Sequence, residues 1–504
     1  MTAHPETTPG LNSDAPFDLV IRNGRIVSDG QVIDGDLAVR GECIAAIGPD
    51  LGPAMRDIDA AGRWVLPGGI DSHCHIEQLS GMGVMGADDF HSATVSAAFG
   101  GTTTVIPFAA QHRGNALPDA LRDYAARAAE KAVIDYGFHV ILANPDAQTL
   151  ATDLPAAIRA GITSVKVYMT YDRMKLDDYQ LLDVLALARE EQALVMIHAE
   201  NNDMIKWLAQ RLIERGHSAP RFHAVAHDPL AEAEATYRAI AMSRLLDVPI
   251  LIVHVAGGET VELIRHAQKL GAQVLAESCP QYLFLKADDL DRPGMEGAKF
   301  CCSPPPRDEA SQEAIWQGLL DGTLATYSSD HAPYRFDETG KLPKGDLTTF
   351  KDMANGVPGL ELRLPLLFSE GFLQGRMDIH QFVALTAGNH ARLYGLAPRK
   401  GALAVGADAD IAIWNAERQT VIRADELHDR VGYTPYEGRT IQGWPEVVIN
   451  RGRIVVADGA LQVARGSGRY LPRGAPSHAG LMAPRSDAAV RRQGMVLTAL
   501  RDIG

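Results

Sequence analysis

Through the middle of the chain, short apolar runs alternate with longer stretches whose apolar residues recur at helical spacing. Eight runs read as strands: 64–70, 102–108, 138–142, 164–169, 194–197, 250–253, 273–276 and 324–327. Short continuous apolar segments bounded by turn residues suit strands buried on both faces. Helical stretches such as 178–191 and 230–246 separate them. Alternation of this kind builds parallel βαβ units, and eight of them over roughly 270 residues match a (β/α)8 barrel. A doubly wound open sheet is the alternative. Its Gly-x-Gly-x-x-Gly turn is missing after the first run, so the barrel is preferred.

Both ends carry a different pattern. Residues 17–66 read as short strands, 18–27, 36–40 and 43–47, with Asn23-Gly24 as a hairpin-type turn. Ile21-Arg-Asn-Gly-Arg-Ile-Val27 is echoed by Ile449-Asn-Arg-Gly-Arg-Ile-Val455, and 410–414 adds another strand. The fold class expected is therefore α/β, a (β/α)8 TIM-type barrel with a small β-sandwich formed by the N- and C-terminal segments. The expected division is a flexible N-terminus at 1–16, a composite β-sandwich from 17–66 plus 399–470, a barrel over 67–398, and a C-terminal tail at 471–504. The tail is Pro-, Arg- and Ala-rich; disorder is preferred there over an oligomer-contacting arm.

At 504 residues the chain can bury a large core, and its 46% hydrophobic and 22% charged content is that of an ordinary globular protein. A net charge of -15 argues against nucleic-acid binding and against attachment to anionic membranes. No run approaches the about 18 apolar residues of a membrane span. The five cysteines are odd in number and form no Cys-x-x-Cys, as expected in a reducing compartment. The segment 1–16 lacks the apolar stretch of a secretory signal, so cytoplasmic localisation is expected.

Active-site residues of such barrels sit at the C-terminal ends of strands. Those positions hold His73 and His75 after the first run, Lys166 in the fourth, His198 after the fifth, His254 after the sixth and Asp330-His331 after the eighth. His73 and His75 are two apart, so on extended backbone both imidazoles face one side. Any one of these histidines alone is more often structural; the coincidence of the set is what carries weight. Imidazoles with a carboxylate suit two borderline divalent ions, zinc first, with manganese or cobalt possible. Two such ions need a bridging anion, and no acid ends the fourth run. Lys166 as a CO2-derived carbamate would bridge, but spacing does not separate that from a lysine paired with a carboxylate.

The motifs resemble the hydantoinase/dihydropyrimidinase branch of the amidohydrolase superfamily. They are Gly68-Gly-Ile-Asp-Ser-His73-Cys-His75, Ala87-Asp-Asp-Phe90, Gly100-Gly-Thr-Thr103, Lys166-Val-Tyr-Met-Thr-Tyr171, His198-Ala-Glu200 and His254-Val-Ala256. They continue with Glu277-Ser-Cys-Pro-Gln-Tyr282, Cys302-Ser-Pro-Pro305, Ser329-Asp-His-Ala-Pro333 and Asn355-Gly-Val-Pro-Gly359. The resemblance runs from about residue 17 to 470 and implies a binuclear centre bridged by carbamylated Lys166. It implies His73, His75 and Asp330 on the more buried ion, and His198 and His254 on the second. It further implies Asp330 as proton carrier, Tyr171 as the phenol donating to the oxyanion, and Ser303 and Asn355 as residues whose backbone holds the cyclic amide. The implied reaction opens a hydantoin, dihydropyrimidine or related imide to an N-carbamoyl amino acid or half-amide. An allantoinase, a cyclic imidase and, with less support, a non-catalytic scaffold are the rivals. The substrate is a small molecule, and a homo-oligomer, most commonly a tetramer in this branch, is implied.

The chain departs from the branch after His75, where Ile76-Glu77-Gln78-Leu79-Ser80-Gly-Met82-Gly-Val84-Met85 lacks the usual Met-Pro. Leu79, Met82, Val84 and Met85 either line a pocket for a bulky apolar substituent or pack elsewhere. Glu77 stands near where dihydroorotase-like relatives carry an arginine, and is expected to repel a substrate carboxylate unless Arg113 or Arg335 compensates. Cys279, Cys301 and Cys302 are read as buried structural thiols rather than ligands.

Overall fold

The computed structural model describes residues 16–28, 30–478 and 480–481; residues 1–15 and 482–504, most of the two end segments delimited above, lie outside them. Seven strands pair in parallel order: Phe108–Ala110, His139–Ile141, Ser164–Tyr168, Leu194–His198, Ile250–Ile252, Val274–Ser278 and Thr326–Tyr327. A second parallel ladder joins Gly69–Asp71, Thr102–Val105 and Asp135–Tyr136. Chain continuity ties the two ladders together, because 102–105 runs into 108–110 across Ile106-Pro107. A parallel bridge from Cys74 to His331 brings the last unit back to the first. The eight units curl into the expected barrel, and the open sheet is excluded.

Helices at Asp178–Glu190 and Pro229–Leu246 lie where the periodicity placed them. Asp177 caps the first in a reciprocal box with Gln180, and Asp228 caps the second ahead of Pro229, so their starts are written locally. Their apolar stripes pack on the strands in a core that includes Val165, Val167, Val195, Ile197, Leu181 and Val184.

Three readings are corrected. The run 64–70 is two strands: Trp64–Pro67 pairs antiparallel with Ile411–Val421, while only Gly69–Asp71 enters the barrel. At the change of partner, a Cβ on Gly68 would lie 2.2 Å from Thr103 and one on Gly69 2.6 Å from Leu364. Asn23-Gly24 is not a hairpin turn. It is a bulge inside Leu19–Ser28, with Asn23 at φ 54° and Val65 so close that a Cβ on Gly24 would lie 2.6 Å from it. The echoed Arg451-Gly452 does turn, between Thr440–Asn450 and Arg453–Ala457, so the two copies play different parts. Third, the start of the tail is packed. Leu471 and Arg473 are buried, and Arg473 donates to the Phe138 carbonyl.

The terminal strands make one nine-stranded sheet drawn from both ends, whose apolar side encloses Ile21, Leu37, Val65, Ile411 and Ile449. Its seam with the barrel is ionic. Lys400 Nζ, almost fully buried, sits 2.6 Å from Asp135 and Asp410 and 3.0 Å from Asp408, and Arg451 Nε donates to Asp135 at 2.9 Å. No helix among the described residues is long and apolar enough to cross a membrane.

Candidate metal centre

Six predicted donors meet at one end of the barrel. His73 and His75 follow Gly69–Asp71, Lys166 lies within Ser164–Tyr168, His198 ends Leu194–His198, and His254 and Asp330 lie two and three residues past their strands. All six line one cavity, together with Tyr171, Ser303 and Asn355. The Nε2 atoms of His73 and His75 stand 3.1 and 3.3 Å from the same oxygen, Asp330 Oδ1, and donor atoms of these three residues lie within 4.8 Å of one another. Lys166 Nζ is 3.5 Å from His73 Nε2. Across the cavity, His254 Nε2 faces His198 Nδ1 at 2.8 Å, and His254 Nδ1 is buried without a partner. Imidazole nitrogens aimed at one another and at a shared carboxylate oxygen are the donor set that borderline divalent cations accept.

Protonation agrees with that use. Burial lowers the pKa of His75, His198 and His254, leaving neutral rings with a free lone pair. Burial and Lys166 also depress His73, but Asp330 and Glu277 outweigh them and its pKa is raised. Burial would raise the Asp330 carboxyl; His73 and hydrogen bonds to both imidazoles hold it well below the usual range. Burial alone takes Lys166 down to about 8, against the partial opposition of Asp330 and Glu277.

Behind three of the four histidines stands an acceptor the sequence reading did not assign. Glu277 takes His73 Nδ1, with Ser328 Oγ donating to its other oxygen at 2.8 Å. Glu200 Oε2 takes His198 Nε2 at 2.7 Å and also the Ser303 hydroxyl at 2.6 Å, while its Oε1 meets His227 Nδ1 at 2.9 Å. Gln78 Oε1 takes His75 Nδ1 at 2.9 Å. Such acceptors fix the tautomer and aim the ligating nitrogen. Glu200 was visible in principle, two residues beyond His198, the same spacing that exposed the His73–His75 pair.

Tyr171 and Asn355 touch, Asn355 Nδ2 donating to the phenol oxygen at 3.3 Å, and burial raises the phenol pKa so that Tyr171 keeps its proton. Ser303 turns its hydroxyl to Glu200, leaving its backbone as the group free for a ligand. The sulfurs of Cys279, Cys301 and Cys302 are buried and join neither of the clusters with metal-ligand spacing among the described residues. The other such cluster, Asp135, Asp408 and Asp410, is filled by the Lys400 ammonium.

The loop after His75 overturns part of the substrate reading. Glu77 does not face the cavity: it pairs with Lys131 Nζ at 2.5 Å and accepts from Phe90 N at 3.2 Å. It therefore does not repel a substrate carboxylate. The case against such a substrate rests instead on the lining, which holds no arginine among the described residues; Arg113 is engaged with the Lys175 carbonyl. Of the four apolar loop residues, only Met82 lines the cavity. Val84 packs on Ala332 and Tyr334, while Leu79 and Met85 are exposed. Tyr168, Met174, Ala332 and Tyr334, none of them singled out from sequence, complete the apolar wall.

A barrel presenting four imidazoles, a carboxylate and a lysine at its strand ends defines the class of metal-assisted hydrolases. The comparison with known proteins is more specific. The Amidohydrolase family matches residues 64–455, and the chain belongs to that family. A D-hydantoinase from Rhizobium radiobacter is 41% identical over 458 residues, 91% of this chain and 99% of that protein. Among solved structures, dihydropyrimidinase from Brevibacillus agri NCHU1002 superposes with a TM-score of 0.88 at 39% identity, covering 91% of this chain and 99% of that one. L-Hydantoinase (dihydropyrimidinase) from Arthrobacter aurescens gives 0.82 at 28% identity, covering 91% and 100%.

Proposed function

We propose that this protein is a metal-dependent cyclic amidase that hydrolyses a C–N bond in a hydantoin or dihydropyrimidine ring to give an N-carbamoyl amino acid. The observation that carries this is the convergence of His73, His75, Lys166, His198, His254 and Asp330 on one cavity, in a chain similar over nine-tenths of its length to a D-hydantoinase. His73, His75 and Asp330 would hold one divalent ion and His198 and His254 the other, with Lys166, as a carbamate, supplying anionic oxygen donors. Zinc is the first choice for imidazole-rich donors, with manganese or cobalt as substitutes. Once bound, the ions supply a hydroxide near neutral pH and polarise the scissile carbonyl.

The chain's own residues do the rest. Asp330, ionised in the resting site, takes the proton released on attack and delivers it to the departing ring nitrogen. Tyr171 holds its proton and donates a hydrogen bond to the carbonyl oxygen as charge develops there. The backbone at Ser303 and Asn355 grips the ring amide, and Met82, Met174 and Tyr334 bound the space for an apolar substituent. We place the enzyme in the cytoplasm, in keeping with five unpaired cysteines, four of them buried; the homo-oligomer rests on the family resemblance alone.

The test is ring opening by zinc-loaded protein, with bicarbonate present, against dihydrouracil, 5-substituted hydantoins, allantoin and succinimide. Turnover of hydantoins or dihydrouracil is expected to dominate. A preference for allantoin or succinimide would transfer the assignment to an allantoinase or a cyclic imidase.

A further inference from the structure

We propose that Gln78 is a positioning residue that couples the loop over the cavity to the metal ligand His75. The inference rests on His75 being a ligand, as argued above. Gln78 is 7% exposed and lines the cavity, and its Oε1 accepts from His75 Nδ1 at 2.9 Å. That bond places the ring proton on Nδ1 and leaves Nε2, the atom facing Asp330 at 3.3 Å, as the lone pair.

The main chain of Gln78 belongs to a different unit. Its carbonyl accepts from Gly86 N at 3.0 Å, Leu79 and Met85 pair as an antiparallel bridge, and Ser80 N donates to the Val84 carbonyl at 2.8 Å. Residues 78–86 are thus a closed hairpin, and Ser80 Oγ stiffens its tip by accepting from Met82 N and Val84 N. Its foot is clamped by Glu77, whose carbonyl accepts from Arg127 Nη1 at 3.0 Å. The hairpin carries Met82 into the cavity wall. One residue therefore joins the element that meets the substrate to the ring that meets the metal.

The contrast with the other acceptors sharpens the point. Glu277 and Glu200 are carboxylates held by barrel strands or just beyond them. His75 alone leans on a neutral amide, and that amide rides on the hairpin. A shift of the hairpin therefore bears directly on His75 through Gln78.

The experiment measures zinc loss to a chelating indicator from the full-length, zinc-loaded protein. Gln78→Leu removes the acceptor, and loss is expected to accelerate by about 10- to 100-fold, the usual effect of deleting such a partner. Gln78→Glu keeps an acceptor oxygen and is expected to restore slow loss. Apoprotein melting temperatures show whether either variant fails to fold. If both variants release zinc at the wild-type rate, or both release it equally fast, the proposal is overturned. His75→Ala separates the levels. Should it retain two zinc ions, the ligand assignment itself falls. Should it lose zinc while Gln78→Leu does not, only the coupling falls.

Discussion

Lys166 is the residue on which the binuclear reading is most exposed, because only a neutral amine adds CO2. Full burial takes its pKa from 10.5 to about 8. At pH 7 that leaves about 9% of the amine neutral, against about 0.03% for an ordinary lysine, a gain of about 300-fold in the reactive form. Metal-free protein given 13C-labelled CO2 at fixed dissolved concentration should form carbamate at an initial rate that rises about tenfold per pH unit below 8 and levels off above it. Carbon NMR of the carbamate carbonyl reads the rate, and Lys166→Met supplies the blank. The folding linkage has a definite sign. Below about pH 8 the lysine is protonated folded or unfolded, and the buried charge is a full penalty. Between about 8 and 10.5 the unfolded chain binds the proton and the folded one does not, so stability relative to Lys166→Met rises by about 3 kcal/mol across that window. A carbamylation rate that climbs steadily past pH 9.5, as for a solvated lysine, would refute the reasoning.

Three further outcomes follow from the geometry. Tyr171→Phe should lower kcat by about 10²- to 10³-fold with little change in KM or zinc content, since it deletes one donor to a developing oxyanion; steady-state kinetics with a 5-substituted hydantoin check it. Glu200→Gln should weaken zinc binding by about 10- to 100-fold in chelator competition, because His198 Nε2 loses its charged acceptor. Lys400→Met should destabilise by about 3–5 kcal/mol near neutral pH, because Asp410 loses its cation while Asp135 and Asp408 keep only Arg451 and Arg399. Burial already raises the Asp410 carboxyl and Lys400 opposes that rise, so without the ammonium urea titration should find the variant relatively stronger at low pH and weaker as pH rises.

What the sequence disclosed follows the range of each signal. Strand and helix alternation is local, so the eight units, the helices at 178 and 229 and the barrel could be read directly. That the six candidate donors would share one cavity was legible because barrel topology gathers residues that obey one positional rule, the strand end. What escaped was decided across the fold. Glu277 meets His73, and Ser303 meets Glu200, over about 200 and 100 residues of chain, and no periodicity encodes that. Glu77 was misjudged for the same reason: its partner, Lys131, comes from the helix Leu117–Lys131 rather than the loop it sits in. Asn23-Gly24 looked like a turn because both residues tolerate positive φ, which a bulge requires equally.

One class of information lies beneath the residue types altogether. Glu77, Tyr171, His254 and Asp330 all adopt positive φ, between 41° and 65°, although none is glycine. Each such residue costs on the order of 1–3 kcal/mol and persists only where its surroundings over-determine it. Glycine would relieve the strain but has no side chain to offer, and these positions need an anchor, a phenol, an imidazole and a carboxylate. A strand continued in ordinary geometry points its next side chains alternately in and out of the barrel. Breaking that alternation at three strand ends turns Tyr171, His254 and Asp330 toward the same cavity. Stability is surrendered where these side chains converge.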